Sequence, residues 1–437
     1  MVEVENNIQK HPAYKDYRVV WLGEIPEHWK IKPGFTILSE SKRKNTGFVE
    51  KTVLSLSYGN VVIKPEEKLT GLVPESFETY QLVEPGDIII RPTDLQNDKT
   101  SLRTGLAKNK GIITSAYINL RVNKKYSNSF YHYYLYIIDL NKVIYGLGSG
   151  LRQNISFWDF KRFPFPFPPS QEQTGIAQFL DDKTTKIEDA IAIKEQQINL
   201  LKERKQILIH KAVTQGLNSN ATLKDSGVEW IGAIPEHWEV KRLASFGKFS
   251  KGGGFSKADL VENGVSAILY GDIYTKYNIS IKKEVRFISV ETAKKSIKID
   301  KHDLLFTGSG ETKEDIGKCV VFLNDKIAYA GGDVIIFKQT ENDSLFLSFT
   351  LNTEGAKFEK ARYSKGEIIV HTYGSKLRNI YIPIPSPTEQ IEISAYIESA
   401  SYKIETAISL KQQEIAKLKE YKSSLINSAV TGKIKVS

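Results

Sequence analysis

The chain has 437 residues, enough for roughly two to four domains, and its hydrophobic content of 41% excludes a disordered polymer. A single cysteine, Cys319, excludes an intramolecular disulfide and a cysteine-rich zinc site, and fits a reducing compartment, the cytoplasm. The formal net charge of +10 favours a polyanionic partner, whereas no apolar run reaches the roughly 18–20 residues that span a bilayer and Met1-Val-Glu-Val-Glu-Asn6 is no basic-then-apolar leader.

In chain order, the first distinctive stretch is Trp21-Leu-Gly-Glu-Ile-Pro-Glu-His-Trp29. Residues 30–165 are rich in β-branched and aromatic residues cut by Gly, Pro and Asn. Val53-Leu-Ser-Leu-Ser-Tyr58, Asp87-Ile-Ile-Ile-Arg91 and Gly111-Ile-Ile-Thr-Ser-Ala-Tyr-Ile118 predict strands, and residues 129–138 predict a helix. The helix carries Tyr131, Tyr133, Tyr134 and Tyr136, whose spacing assigns most of them to a core or its edge and not to a base-stacking platform. Phe163-Pro-Phe-Pro-Phe-Pro-Pro169 then breaks regular structure, because proline neither extends a helix nor donates to a sheet. Ser170 is an expected N-cap with Glu172 in the first turn. From there to about Gln215 there is no proline, and Gly175 is the one glycine. That predicts a helix of about 45 residues, roughly 65 Å long.

After a polar connector, the marker returns as Trp230-Ile-Gly-Ala-Ile-Pro-Glu-His-Trp238, 209 positions on. His28 and His237 fall inside it, where a structural turn is the simpler reading than a metal ligand. Strands are predicted at 265–270, 303–306, 318–323 and 334–337. Pro383-Ile-Pro-Ser-Pro387 interrupts, and a second long helix runs from Thr388 to about Gly432. The two helices repeat at a spacing of 217. Ile187, Ile191, Lys194, Ile198, Leu201, Lys205, Leu208 and Ala212 match Ile404, Ile408, Lys411, Ile415, Leu418, Lys422, Leu425 and Ala429 residue for residue. Alternating steps of four and three form a coiled-coil seam, so the helices are expected to pair with each other, antiparallel because one carries the chain out and the other carries it back. The lysines weaken such a seam but fix its register, their stems lying on apolar surface. Lys15-Asp16 and Lys224-Asp225 also match at 209. By that pseudo-symmetry, residues 1–20 should lie beside 425–437, closing a ring-like, nearly two-fold object. Between the markers the two globular stretches cannot be aligned by eye.

These features together resemble the specificity subunit of type I restriction–modification systems. The resemblance rests on the two markers, on Pro-Ser-Gln-Glu-Gln at 169–173 and Pro-Thr-Glu-Gln at 387–390, and on the helix endings His210-Lys-Ala-Val-Thr214 and Ser428-Ala-Val-Thr431, in an order covering essentially the whole chain. It implies an α+β fold: two mixed α/β target recognition domains separated by two long helices that pair as an antiparallel coiled coil, with a pseudo-two-fold internal repeat. The expected boundaries are 1–169 for the first recognition domain with its N-terminal segment, 170–216 for the central helix, 217–229 for a connector, 230–386 for the second recognition domain and 387–437 for the C-terminal helix. The implied partners are double-stranded DNA, two adenine-methyltransferase (modification) subunits and restriction subunits that translocate and cut DNA, with no membrane. The subunit itself is implied to carry no catalytic centre, and no cofactor or metal is expected.

The residues agree on catalysis. There is no Asn/Asp-Pro-Pro-aromatic motif for amino methylation and no Gly-x-x-x-x-Gly-Lys-Ser/Thr motor loop. Lys251-Gly-Gly-Gly-Phe-Ser-Lys257 has the wrong spacing for a phosphate cradle. The stretch 91–99 lacks the acidic pair and Glu-x-Lys of a nuclease. Base readers need donors and acceptors on loops, plus cations for phosphate. The first-domain candidates are Arg91, Thr93, Gln96, Asn97, Lys99 and Arg103, with Arg152 and Gln153 in a glycine-rich second loop. The second-domain candidates are Lys251, Ser256 and Lys257, then Tyr270, Tyr274 and Lys276, then Ser309, Thr312 and Lys313. Two rival readings are a coiled-coil scaffold without DNA readout and a stand-alone DNA-modifying enzyme; DNA binding with and without methyltransferase subunits, and incubation with DNA and a methyl donor, separate them.

Overall fold

Alternating apolar residues in the first half build a four-stranded antiparallel sheet in the order Leu38–Glu40, Ile118–Val122, Ile88–Ile90, Thr104–Leu106. The computed structural model describes residues 9–65, 67, 77–98, 100–147, 154–283, 285–310, 312–364, 366 and 370–436. The chain divides into two units, Met1–Lys194 with Gln412–Ser437 and Glu195–Lys411.

In the first unit, successive side chains of Ile88–Ile90 point to opposite faces. Ile88 and Ile90 enter the main core beneath the helix Asn128–Leu140, while Ile89 enters a smaller one with Leu54, Val61 and Val83. The helix is capped by Ser127, whose hydroxyl accepts from the Phe130 N–H at 3.2 Å. Tyr131, Tyr133 and Tyr134 are buried and Tyr136 is half-buried, as their spacing requires. The strand expected across 111–118 is two strands, Gly111–Ile113 and Ile118–Val122, divided by a turn closed from Tyr117 N to Thr114 O.

The proline-rich segment departs from expectation. Pro164–Phe167 is itself a strand, paired antiparallel with Lys30–Pro33. A two-stranded ribbon has an open edge on each strand, so a missing proline N–H leaves no neighbour unsatisfied. Tyr381–Ile384 pairs with Glu239–Arg242 in the same way in the second unit.

The second unit holds two five-stranded sheets. One runs Lys248–Lys251, Val334–Lys338, Leu304–Thr307, Cys319–Phe322, Ser280–Ile281; the other runs Leu260–Val261, Phe287–Ile288, Val265–Ile268, Ala328–Ala330, Ile297–Ile299. Within Val334–Lys338, Ile335 and Phe337 enter one core and Val334 and Ile336 another. A strand buried on both faces explains the unbroken apolar runs there. The first four strands of the first of these sheets pair antiparallel in the same order as the four-stranded sheet of the first unit, so the failure to align the two stretches reflects divergent side chains and insertions around a shared connectivity.

The long helices span Ser170–Gln215 and Pro387–Val430. In the first unit Ile187 and Leu425 are buried in one core, with Ile191 and Leu418 packed on it, and Ile415 is also buried. Lys194 reaches Glu414 and Lys422 reaches Glu188. In the second unit Ile198 is buried, Leu201, Leu208, Ile404 and Ile408 are half-buried, and Lys205 reaches Glu405. Ile209 and Ile426, one step off the seam, are also buried, because the ends of the helices must cover the globular parts and present a wider apolar stripe. Ser170 is not an N-cap: it lies within the first turn, Gln173 N bonds Pro169 O, and the Ser170 hydroxyl donates to Lys125 O. The second helix does have a capping box, in which Ser386 and Glu389 bond each other's backbone N–H, followed by Pro387 at the first helical position.

The N-terminal segment lies where the repeat places it. Lys435 N donates to Gln9 O at 2.7 Å, and the Tyr14 hydroxyl bonds Lys433 O. Among the described residues no helix is long and apolar enough to cross a membrane.

Candidate nucleic-acid interface

The repeated marker is a latch that fixes each globular part to the long helices. In the first unit the buried Trp29 donates its indole N–H to Glu172 Oε2 at 2.9 Å, and His28 Nε2 lies 2.8 Å from Glu172 Oε1. Gln173 donates to Pro168 O and accepts from Ser127 N, tying the start of the long helix to the cap of the tyrosine-rich helix. At the end of the other long helix Gly432 sits at φ +71°, where an added Cβ would stand 2.3 Å from Pro26 and 3.0 Å from Trp29. The second unit repeats each contact. Trp238 and His237 bond Glu389, Gln390 donates to Pro385 O and accepts from Asp343 N, and Gly216 at φ +73° faces Trp238. Burial raises the pKa of Glu389, but hydrogen bonds from His237, Ser386 and Trp238 outweigh it and hold the carboxyl below its ordinary value. The reading of His237 as part of a structural turn agrees with this geometry.

With the lobe so anchored, the loop 91–98 is wound around one side chain. Arg103 is fully buried, and its guanidinium donates to the carbonyls of Thr93 (2.6 Å), Asp94 (3.0 Å) and Asp98 (2.7 Å), while Nε donates to the Tyr145 hydroxyl at 3.1 Å. Its assignment as a base reader is therefore corrected: the two terminal nitrogens are taken up by backbone oxygens and Nε by the Tyr145 hydroxyl, so it shapes the loop from beneath. The Asp98 carboxylate accepts from Ser101 N and Thr100, which hold its pKa far below the usual range, and lies 3.5 Å from Arg91. Asp94 adopts φ +63° and accepts from the Asn97 side chain at 2.8 Å. On the outer surface remain exposed Gln96 and Asn97 and half-exposed Arg91 and Thr93. Lys99, Arg152 and Gln153 lie outside the described residues.

The loop has a neighbour that the composition did not single out. Ile155 N donates to Pro92 O, and Asp94 N donates to the Asn154 side chain. This sets the short helix Phe157–Lys161 beside the loop, with Trp158 73% exposed and the Lys161 ammonium 4.2 Å from its ring centroid. An exposed tryptophan is unusual on a folded surface. The Ser156/Asp159 capping box marks the start of this helix in the sequence, but which face it turns outward is set by packing.

In the second unit Lys251 and Lys257 are exposed, with Lys251 3.3 Å from Asp333. Gly252 is obligatory, since a Cβ there would meet Gly331 O at 2.4 Å. Ser256 caps a turn, accepting from Ala258 N and donating to Asp259. The stretch 270–276 is mostly the helix Tyr270–Thr275, not a loop; Tyr270 and Lys276 are exposed. Tyr274 is half-buried, its hydroxyl donates to Ser309 O and accepts from Thr307, and burial pushes its pKa up to about 12. Ser309 is buried in the strand Ser309–Gly310 with its hydroxyl on His371 Nδ1 at 2.9 Å. Ser309 is thus corrected to a structural residue, and Tyr274 presents no free hydroxyl. Thr312 and Lys313 are exposed.

The family profile for the type I restriction modification DNA specificity domain covers residues 14–203 and again 235–420, and the chain belongs to this family. The type I restriction enzyme MjaVIII specificity subunit of Methanocaldococcus jannaschii is 26% identical over 339 residues, 75% of each chain. The putative MjaX specificity subunit of the same organism is 23% identical over 97% of each. Among solved structures, a chain from work on complex assembly and conformational transition of the type I R-M system aligns with a TM-score of 0.69 at 12% identity, covering 93% of this chain and 98% of that one. The HsdS subunit from Thermoanaerobacter tengcongensis aligns at 0.51 with 13% identity and the same coverage. The protein is a DNA sequence-recognition subunit of the type I restriction–modification class, a non-catalytic component.

Proposed function

We propose that each lobe reads one half of a bipartite double-stranded DNA site and that the helix pair sets the spacer between the halves. The recurrence of the whole latch, from Trp29–Glu172–Gly432 to Trp238–Glu389–Gly216, carries this reading. A scaffold repeated around divergent lobes suits two unlike half-sites. The working divisions are 1–169, 170–216, 217–229, 230–386 and 387–437, with 170–216 and 387–437 paired as an antiparallel coiled coil in a pseudo-two-fold plan. The pairs Glu188–Lys422 and Lys194–Glu414 in one unit and Lys205–Glu405 in the other support that sense, since partner numbers fall on one helix as they rise on the other.

In the first lobe Arg91, Thr93, Gln96 and Asn97 face the DNA, joined by Trp158. In the second, Lys251, Lys257, Tyr270, Lys276, Thr312 and Lys313 do so. Arginine suits guanine, Gln and Asn suit adenine, and lysines suit phosphate. Two adenine-methyltransferase subunits dock on the helices and lobes and extrude the target base, restriction subunits join them, and the assembly works in the cytoplasm. The test is deletion of one heptad from each long helix, with methylated sites mapped in cells. The spacer should change while both half-site sequences stay the same; an unchanged spacer refutes the ruler.

A further inference from the structure

The first latch gathers a set of groups that the second lacks. His11 in the N-terminal segment, His28 in the marker and Glu172 at the start of the long helix bring one ligand atom each to within 4.8 Å of one another. The His11 and His28 ring centroids are 5.3 Å apart, and His28 Nε2 lies 2.8 Å from Glu172 Oε1. The groups are held as metal ligands usually are. Glu172 has its other oxygen pinned by the indole N–H of buried Trp29. His11 is 9% exposed, and its ring is packed against those of Tyr14, His28 and Trp29, which hold it beside the marker. The His28 side chain is 44% exposed, which leaves an open approach.

We propose that His11, His28 and Glu172 bind one zinc-like divalent cation, which staples the N-terminal segment and the chain's C-terminal residues to the start of the first long helix. Two imidazoles and a carboxylate suit zinc, with water from the open side as fourth ligand. Ligand bonds of about 2.0–2.2 Å set tetrahedral ligand atoms about 3.4 Å apart, so the 2.8 Å His28–Glu172 contact opens by a few tenths of an ångström and the wider separations, up to 4.8 Å, close on the ion by side-chain rotation. The exposed side chain of Lys435 can turn to solvent, whereas the Glu172 carboxylate is held in place by Trp29. The second latch is a built-in control. It has the same His237–Glu389 pair at 2.8 Å, yet Asn220 stands where the 209 spacing would place a second histidine. Among the described residues, no other group of three ligands gathers.

The experiment uses the untagged full chain, stripped with chelator and titrated calorimetrically with zinc chloride, then with cobalt(II) to read visible d–d absorption. One ion per chain should bind, with zinc at about 100 times its Kd raising the melting temperature. His11→Asn and, independently, His28→Gln should each weaken zinc by more than about tenfold, while His237→Asn leaves affinity and stoichiometry unchanged. No zinc uptake by the wild-type chain, or uptake unchanged in both His11→Asn and His28→Gln, overturns the proposal. Loss in His237→Asn equal to that in His28→Gln does so too, because it would place the ion elsewhere.

Discussion

Replacing Arg103 with methionine separates two roles that an arginine beside a recognition loop can have. The side chain is fully buried and gives four hydrogen bonds of 2.6–3.1 Å, three to loop carbonyls and one to Tyr145. Hydrogen bonds from a charged group are worth about 1.5–3 kcal/mol each, but they are not additive, and breaking one side of a buried charged network costs about 3–5 kcal/mol in all. Methionine fills much of the volume and leaves carbonyls 93, 94 and 98 without this donor. The first unit should therefore lose about 3–5 kcal/mol, lowering its melting temperature by about 10 °C, with the second unit's transition unmoved. Binding should weaken at the whole first half-site, since Arg91, Thr93, Gln96 and Asn97 all ride on that loop. Differential scanning calorimetry reads the first effect, and methylome mapping with the variant reads the second. If Arg103→Met melts with the wild type and relaxes a single guanine position, Arg103 reads a base and the loop-scaffold account is wrong.

Other expectations follow from the latch, the helices and a buried histidine. Glu389→Ala removes a capping box and the bonds to His237 and Trp238 and should cost the second unit about 1–3 kcal/mol in urea titrations; a shift confined to the first unit would contradict it. Lys205→Met should stay within about 1 kcal/mol of wild type by the same method, because its partner Glu405 is 57% exposed and such pairs are weak. His132 has a buried Nε2 with no hydrogen-bond partner among the described residues, and burial, helped by Lys108 and Lys422, depresses its pKa to about 4 from 6.5. The unfolded chain takes up that proton below 6.5 and the folded chain only near 4, so this contribution is complete above pH 6.5 and is lost as pH falls towards 4. The first unit should weaken by about 1–2 kcal/mol between pH 7 and pH 5, and His132→Phe should flatten that slope; an equal slope in the variant assigns it to other groups.

Much of the plan was legible because periodicity survives in one dimension. The eight-position seam, the proline-free runs and the doubled marker each come from contacts a few residues apart or from plain repetition, so the long helices and the two-part organisation could be read directly. Strand pairing could not. Pro164–Phe167 looked like a break because its partner, Lys30–Pro33, lies more than a hundred residues away, and an edge position is a property of the sheet and not of the segment. The same limit governed the interface. Arg103 and Ser309 have the chemistry of readers, and only packing shows that backbone oxygens and His371 already occupy them. Trp158 carries no such signal along the chain, because exposure depends on which face a one-turn helix turns outward. His11, His28 and Glu172 meet from three elements, and a three-ligand cluster is a fact of distance in space that spacing along the chain does not encode.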